Sequence, residues 1–149
     1  MSKAWRVGVI DHYKNKAKGD HGVHRAFRGL PNVEVVAVAD AHKESRNGLQ
    51  KDTGAPRQYA DWQNMLAKEQ PDIACLCSRL PTQHLDVVVA SAAAGCHVYC
   101  EKPLSVDLAD ADEMIAAADA AGVRFAVAHL ARYAPVFQRF REMIREGGI

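Results

Sequence analysis

Short, unbroken apolar runs separated by helical stretches set the tightest limit on how this 149-residue chain folds. Such runs occupy residues 6–10, 33–39, 73–77, 97–100 and 123–128, with a very short one at 58–60. Apolar residues recur at helical spacing in residues 23–30, and helical stretches span residues 42–53, 61–68, 83–94, 107–121 and 135–146. Gly54, Gly95 and Gly122 stand where helices close, and Asp61 and Asp107 where they open. Continuous apolar strands alternating with helices imply a parallel sheet covered on both sides. Right-handed crossovers then make it an α/β fold, doubly wound, in a single domain of residues 1–149.

Composition narrows the partners. A net charge of +1 gives no field for nucleic acid or an anionic membrane, and no run approaches the length of a membrane span. The first residues, Met1 to Arg6, carry no long apolar run, so no signal peptide is expected and the cytoplasm is the expected compartment. Cys75, Cys77, Cys96 and Cys100 lack zinc-site spacing, so no metal is expected; they read as buried thiols of a reducing compartment. Cys75 and Cys77 face the same side of their strand, too far apart for an easy mutual disulfide.

In an open parallel sheet, ligands gather at the carboxyl ends of strands. The first strand, the loop bearing Gly19 and Gly22, and the helix after it form a place for a dinucleotide pyrophosphate. Asp40 ends the second strand, 18 residues past Gly22, near the spacing of a carboxylate that binds ribose hydroxyls. Such a carboxylate repels a 2′-phosphate, which favours NAD over NADP. A clean G-x-G-x-x-G is absent: Asp11 stands where its first glycine belongs, and the loop is long and lysine-bearing. The same stretch also reads as a decorated surface loop. Arg79 has the chemistry to contact a phosphate or stack on a ring, and His84 is of a kind that more often supports loop packing. His129, Arg132 and Tyr133 fall at a further carboxyl end, facing a ligand or a partner domain, or simply opening the last helix. The strand at 97–100 runs into Glu101-Lys102-Pro103, which puts an ammonium at the ligand edge.

Taken together, these pieces resemble the N-terminal domain of the Gfo/Idh/MocA oxidoreductase family over nearly the whole chain. The matching residues are Val7-Gly8-Val9-Ile10, the stretch from Val35 to Asp40, Tyr59-Ala60-Asp61-Trp62, Pro71-Asp72-Ile73 and Pro81 with His84. They continue with Ala94-Gly95-Cys96-His97-Val98, Glu101-Lys102-Pro103-Leu104, Ala111-Asp112, and His129 with Arg132-Tyr133. Glu101-Lys102-Pro103 is the most specific part.

The resemblance implies a Rossmann-type domain that binds NAD, with NADP possible. It implies hydride transfer between C4 of the nicotinamide and a hydroxyl-bearing carbon of a sugar- or cyclitol-like substrate. Lys102 becomes the catalytic candidate, hydrogen-bonded to the reacting oxygen, and its bond to Pro103 a candidate cis peptide. Gly8, Ile10, Gly19, Gly22, Asp40, Ser78, Arg79, Pro81, His84, Glu101 and Lys102 become the cofactor-binding candidates. The chain departs from the family at Asp11 with its long loop and at Ser78-Arg79-Leu80, which replaces a shorter Thr-Pro segment. Family enzymes carry a second, largely antiparallel domain that builds the substrate pocket, and this chain ends where it would begin. The expectation is an NAD(P)-dependent parent enzyme, an inactive 149-residue chain, and self-association through the surface that the second domain would cover. A non-catalytic dinucleotide sensor and a protein-interaction domain are the competing readings.

Overall fold

A computed structural model describes residues 3–11 and 22–148. Six strands form one all-parallel sheet: β1 (Trp5–Ile10), β2 (Val33–Ala39), β3 (Arg57–Tyr59), β4 (Ile73–Leu76), β5 (His97–Cys100) and β6 (Phe125–Val127). Their order is β3-β2-β1-β4-β5-β6. The chain winds outward from β1 to β3, then crosses back and winds the other way from β4. That reversal, between β1 and β4, leaves a crevice at the carboxyl edge.

Side-chain alternation along each strand divides the core into two layers. Ile10, Val36, Ala74, Leu76 and Val98 face α2 (Trp62–Glu69), α3 (His84–Ala93) and α4 (Leu108–Ala120), against Met65, Leu66, Val87, Val88 and Met114. Val7, Val9, Val38, Cys75 and Cys77 face the opposite way, against Val23 and against Leu49 of α1 (Lys43–Thr53). Gly8 belongs to the first layer. A Cβ there would lie 2.8 Å from Met65 Cε and 3.1 Å from Pro71 Cγ, so its missing side chain is the space that α2 fills.

Caps place most helices where the sequence puts them. Asp61 accepts from the Asn64 N–H at 2.8 Å, Asp107 accepts from Ala109 N–H at 2.7 Å, and Gly54 closes α1 at φ 71°. The stretch at 23–30 differs from expectation: it is a five-residue 3₁₀ turn, Val23–Phe27, with Gly29 left-handed behind it. Pro31 disfavours the helical conformation at Leu30, so too few residues remain to nucleate an α-helix. A second 3₁₀ turn, Pro81–Gln83, takes up the start of the stretch expected to be helical from Gln83, so α3 begins at His84.

Beneath the sheet, buried Glu69 fastens three elements. It accepts from Tyr59 Oη and from Arg57 and pairs with Arg6, tying the end of α2 to β3 and β1. The last helix, α5 (Pro135–Arg145), is amphipathic as expected, yet none of its residues is buried. Val136, Phe137, Phe140 and Ile144 are each more than half exposed. A separate apolar groove of about 680 Å³ runs beside β5, lined by Trp5, Phe27, Leu30, Ile73 and Tyr99.

Candidate functional site

Parallel pairing brings the ends of β1, β2, β4, β5 and β6 to one edge, and with them Asp11, Asp40, Ser78, Glu101-Lys102 and His129. Asp40 and Lys102 follow β2 and β5, three strand steps apart, which at the usual inter-strand spacing is about 14 Å. They flank the crevice from its two sides.

Asp40 is 2% exposed. Its Oδ1 accepts the His42 N–H at 2.7 Å, while Oδ2 is buried without a hydrogen-bond partner among the described residues. Its backbone is held on both sides: the N–H donates to Tyr59 O at 3.1 Å, and Arg46 donates to its carbonyl at 2.6 Å. A carboxylate oxygen kept from water with nothing to accept is unfavourable, and such groups in native folds generally answer to a ligand or a bound water. A ribose hydroxyl is a donor of the right kind. The residues present therefore fit a nucleotide on the β2 side.

Glu101 is buried and accepts the Lys102 N–H on Oε1 at 2.9 Å, folding the chain sharply as it leaves β5. The Lys102–Pro103 peptide is cis, as expected. Lys102 itself is half-buried, an ammonium at the crevice rim. After β4, Ser78 turns inward: its Oγ accepts the Leu80 N–H at 3.2 Å and contacts Gln83 Oε1 at 3.4 Å. Arg79 is exposed, and Pro81 starts the 3₁₀ turn.

Other expected cofactor contacts land elsewhere. Gly8 and Ile10 sit inside the sheet, Gly8 against Met65 and Ile10 fully buried in the same layer, because both point to the helix-covered face. His84 is fully buried too, so its ring packs beneath the edge and does not line it. Gly22 adopts φ 55° at the start of the 3₁₀ turn, with the Arg25 side chain folded over it. Gly19 lies outside the described residues. The pyrophosphate place expected at the first helix is fronted here by a 3₁₀ turn too short to carry a helix dipole of any size. His129, Arg132 and Tyr133 are all exposed.

One cluster went unanticipated. Buried His24 pairs through Nε2 with Asp52 Oδ2 at 2.7 Å, and its Nδ1 lies 3.6 Å from Cys77 Sγ. Arg25 and Arg28 also pair with Asp52. The cluster borders a cavity of about 190 Å³ shared with Asp11 and Ser45. His24 and Asp52 are 28 positions apart, which no local pattern reveals.

Burial works against charge on the His24 ring, but the hydrogen bonds to Cys77 and Asp52 outweigh it and raise its pKa above 6.5. The hydrogen bond from His24, then those from Arg25 and Arg28, hold the Asp52 carboxyl far below the usual carboxylate range. A raised histidine stabilises the fold below its unfolded pKa and loses that contribution as pH rises through the folded value. A depressed aspartate stabilises above its unfolded pKa and loses the contribution on acidification. Both contributions stand together between about pH 4 and pH 6.5. The wild-type thermal midpoint is expected to fall from pH 6 to pH 8, and Asp52→Asn to flatten that slope. Calorimetric melts at the two pH values check it.

Comparison with known proteins agrees with this fold. D-apiose dehydrogenase of Paraburkholderia graminis is 35% identical over 124 residues, covering 83% of this chain and 33% of that protein. Myo-inositol 2-dehydrogenase of Thermotoga maritima is 31% identical over 146 residues, covering 97% and 42%. The crystal structure of an NAD binding oxidoreductase from Klebsiella pneumoniae superimposes with a TM-score of 0.76 at 31% identity, covering 99% of this chain and 40% of that one. The chain thus spans about a third to two-fifths of the length of these relatives. With residues 8–129 matched by the family's sequence model, the chain belongs to the Gfo/Idh/MocA oxidoreductase family, of NAD-binding Rossmann fold.

Proposed function

We propose that this chain is the dinucleotide-binding part of an NAD-dependent oxidoreductase acting on a hydroxyl-bearing carbon of a sugar- or cyclitol-like substrate. The observation that carries the reading is the buried Oδ2 of Asp40, which has no hydrogen-bond partner among the described residues and is set across the crevice from Lys102. Asp40 would hold the adenosine ribose and disfavour a 2′-phosphate, so NADH should bind more tightly than NADPH. Bound NAD supplies a hydride acceptor at its nicotinamide ring. Lys102 would hydrogen-bond the substrate oxygen and hold its proton, while Glu101 keeps the turn that presents the lysine. Ser78, Arg79 and Pro81 form the β4 side of the crevice. The names of the two dehydrogenases above support the substrate class. Positioning a substrate accounts for about 7–11 kcal/mol of a barrier, and the relatives devote more than half their length to residues beyond this match. Residues 1–149 alone are therefore proposed to give no useful turnover.

Titration calorimetry with NADH and NADPH tests the reading. Preferential NADH binding supports it, and a folded chain that binds neither cofactor leaves only the interaction-domain reading. No described helix is long and apolar enough to cross a membrane, and the four free, buried cysteines suit the reducing cytoplasm proposed here. The exposed face of α5 and the groove beside β5 favour self-association of the chain. Sedimentation is expected to show concentration-dependent association, which Phe140→Glu reduces; a strictly monomeric wild-type chain at high concentration would count against it.

A further inference from the structure

His84 is fully buried at the start of α3, yet both of its ring nitrogens are engaged with backbone. Nε2 lies 2.8 Å from the carbonyl oxygen of Ser78, and Nδ1 lies 2.9 Å from that of Leu104. One carbonyl belongs to the segment that leaves β4, the other to the segment that leaves β5 and carries Lys102. A single side chain from a third element thus ties together the segments that leave β4 and β5, neighbours on one side of the crevice.

A carbonyl oxygen accepts and never donates, so a ring nitrogen bonds its carbonyl only through its own N–H. The neighbouring thiol, Cys100 Sγ at 3.4 Å from Nδ1, is pushed up to about 12 by burial and by Glu101, and stays neutral beside the ring. Leu104 stands two residues past Lys102, with Pro103 between them, and proline leaves that link little slack. On the other side, Glu101 accepts the Lys102 N–H. Lys102 is therefore fixed from before by Glu101 and from behind by the pinned Leu104 carbonyl.

We propose that His84 is a positioning residue for Lys102: its two ring nitrogens lock the Lys102 segment to the Ser78 segment and so set the lysine's place across the crevice. The proposal rests on the reading that Lys102 meets the reacting oxygen. It assigns His84 no contact with cofactor or substrate.

Asparagine and glutamine separate the two halves of the lock. An Asn amide nitrogen falls near the place of Nδ1, and a Gln amide nitrogen near that of Nε2. His84→Asn should keep the Leu104 bond and lose the Ser78 bond, and His84→Gln should do the reverse. The readout is amide hydrogen exchange of the whole chain, followed at residues 78–80 and 101–105. Loss of one such bond is expected to speed local exchange roughly tenfold. The Asn variant should show this at 78–80 only, the Gln variant at 101–105 only, and His84→Ala at both.

Equal acceleration of both segments in the Asn and Gln variants marks a general packing role and overturns the proposal, as does no change in any variant. Should the variants not fold, amide exchange of the wild-type chain decides: matched opening of residues 78–80 and 101–105 supports the lock, and independent opening of the two segments overturns it. NADH titration keeps the two readings apart: if the variants show the segment-specific pattern while the wild-type chain binds no NADH, the lock stands and the cofactor assignment falls.

Discussion

Replacing Asp40 with asparagine is expected to weaken NADH binding about 30- to 150-fold while leaving the unliganded domain about as stable as before. Both effects turn on one atom. Oδ2 is buried without a hydrogen-bond partner among the described residues, which leaves it open to a bound donor. Hydrogen bonds between a charged group and ribose hydroxyls contribute about 2–3 kcal/mol to the bound state, and that difference is the fold-change expected. The amide retains an oxygen for the His42 N–H, so the cap on the turn survives. A midpoint within roughly 2–4 °C of the wild type corresponds to a change of no more than about 1 kcal/mol in a chain of this size. Removing the carboxylate also removes its repulsion of a 2′-phosphate, so NADPH binding should weaken less and the preference between cofactors should narrow. Calorimetric titration and melting of the same two proteins provide the test. A variant that binds NADH like the wild type would show that Asp40 is only a cap for the turn at His42.

The second large effect is expected at Lys102. In an active protein containing this domain, Lys102→Ala should lower kcat by about 10²–10⁴, the usual range for a lost acid–base group. NADH affinity should change little, because the lysine flanks the crevice on the side away from Asp40. Lys102→Arg should not restore the rate: the guanidinium keeps the charge, but its proton is held too tightly for transfer near neutral pH and its planar fork places donors differently. Steady-state kinetics with a sugar or cyclitol substrate, run beside cofactor titration, separates the two parameters. A rate indifferent to Lys102 would remove it from the mechanism and favour a dinucleotide sensor.

Much of the fold was legible because it rests on local pattern. Continuous apolar strands report burial on both faces, and Asp61, Asp107 and Gly54 mark helix ends through bonds or dihedral angles made within a few residues. Strand parallelism then carries Asp40 and Lys102 to one edge without any side-chain information. The rest depends on local chain breaks and on tertiary packing, which spacing alone does not report. The spacing of Val23, Ala26, Phe27 and Leu30 suits a helix, but Pro31 and Gly29 leave room only for a 3₁₀ turn. Gly8 sits beside a cofactor motif in sequence and against Met65 in space. The roles of His24 and His84 depend on partners 28, 53, 6 and 20 positions away, and a lone histidine in a sequence does not show them.

The placement of sulfur has a consequence of its own. All four cysteines are free and almost wholly enclosed, with Cys75 and Cys77 Sγ only 3.8 Å apart inside one layer. Burial pushes Cys96 up to about 11, and the Cys75 contact, with burial behind it, pushes Cys77 well above the ordinary thiol range. Peroxides and alkylating reagents need an accessible thiolate, and the folded domain offers them none. Chemical attack on these atoms must wait for the chain to open, so the rate of their modification is a clock for unfolding.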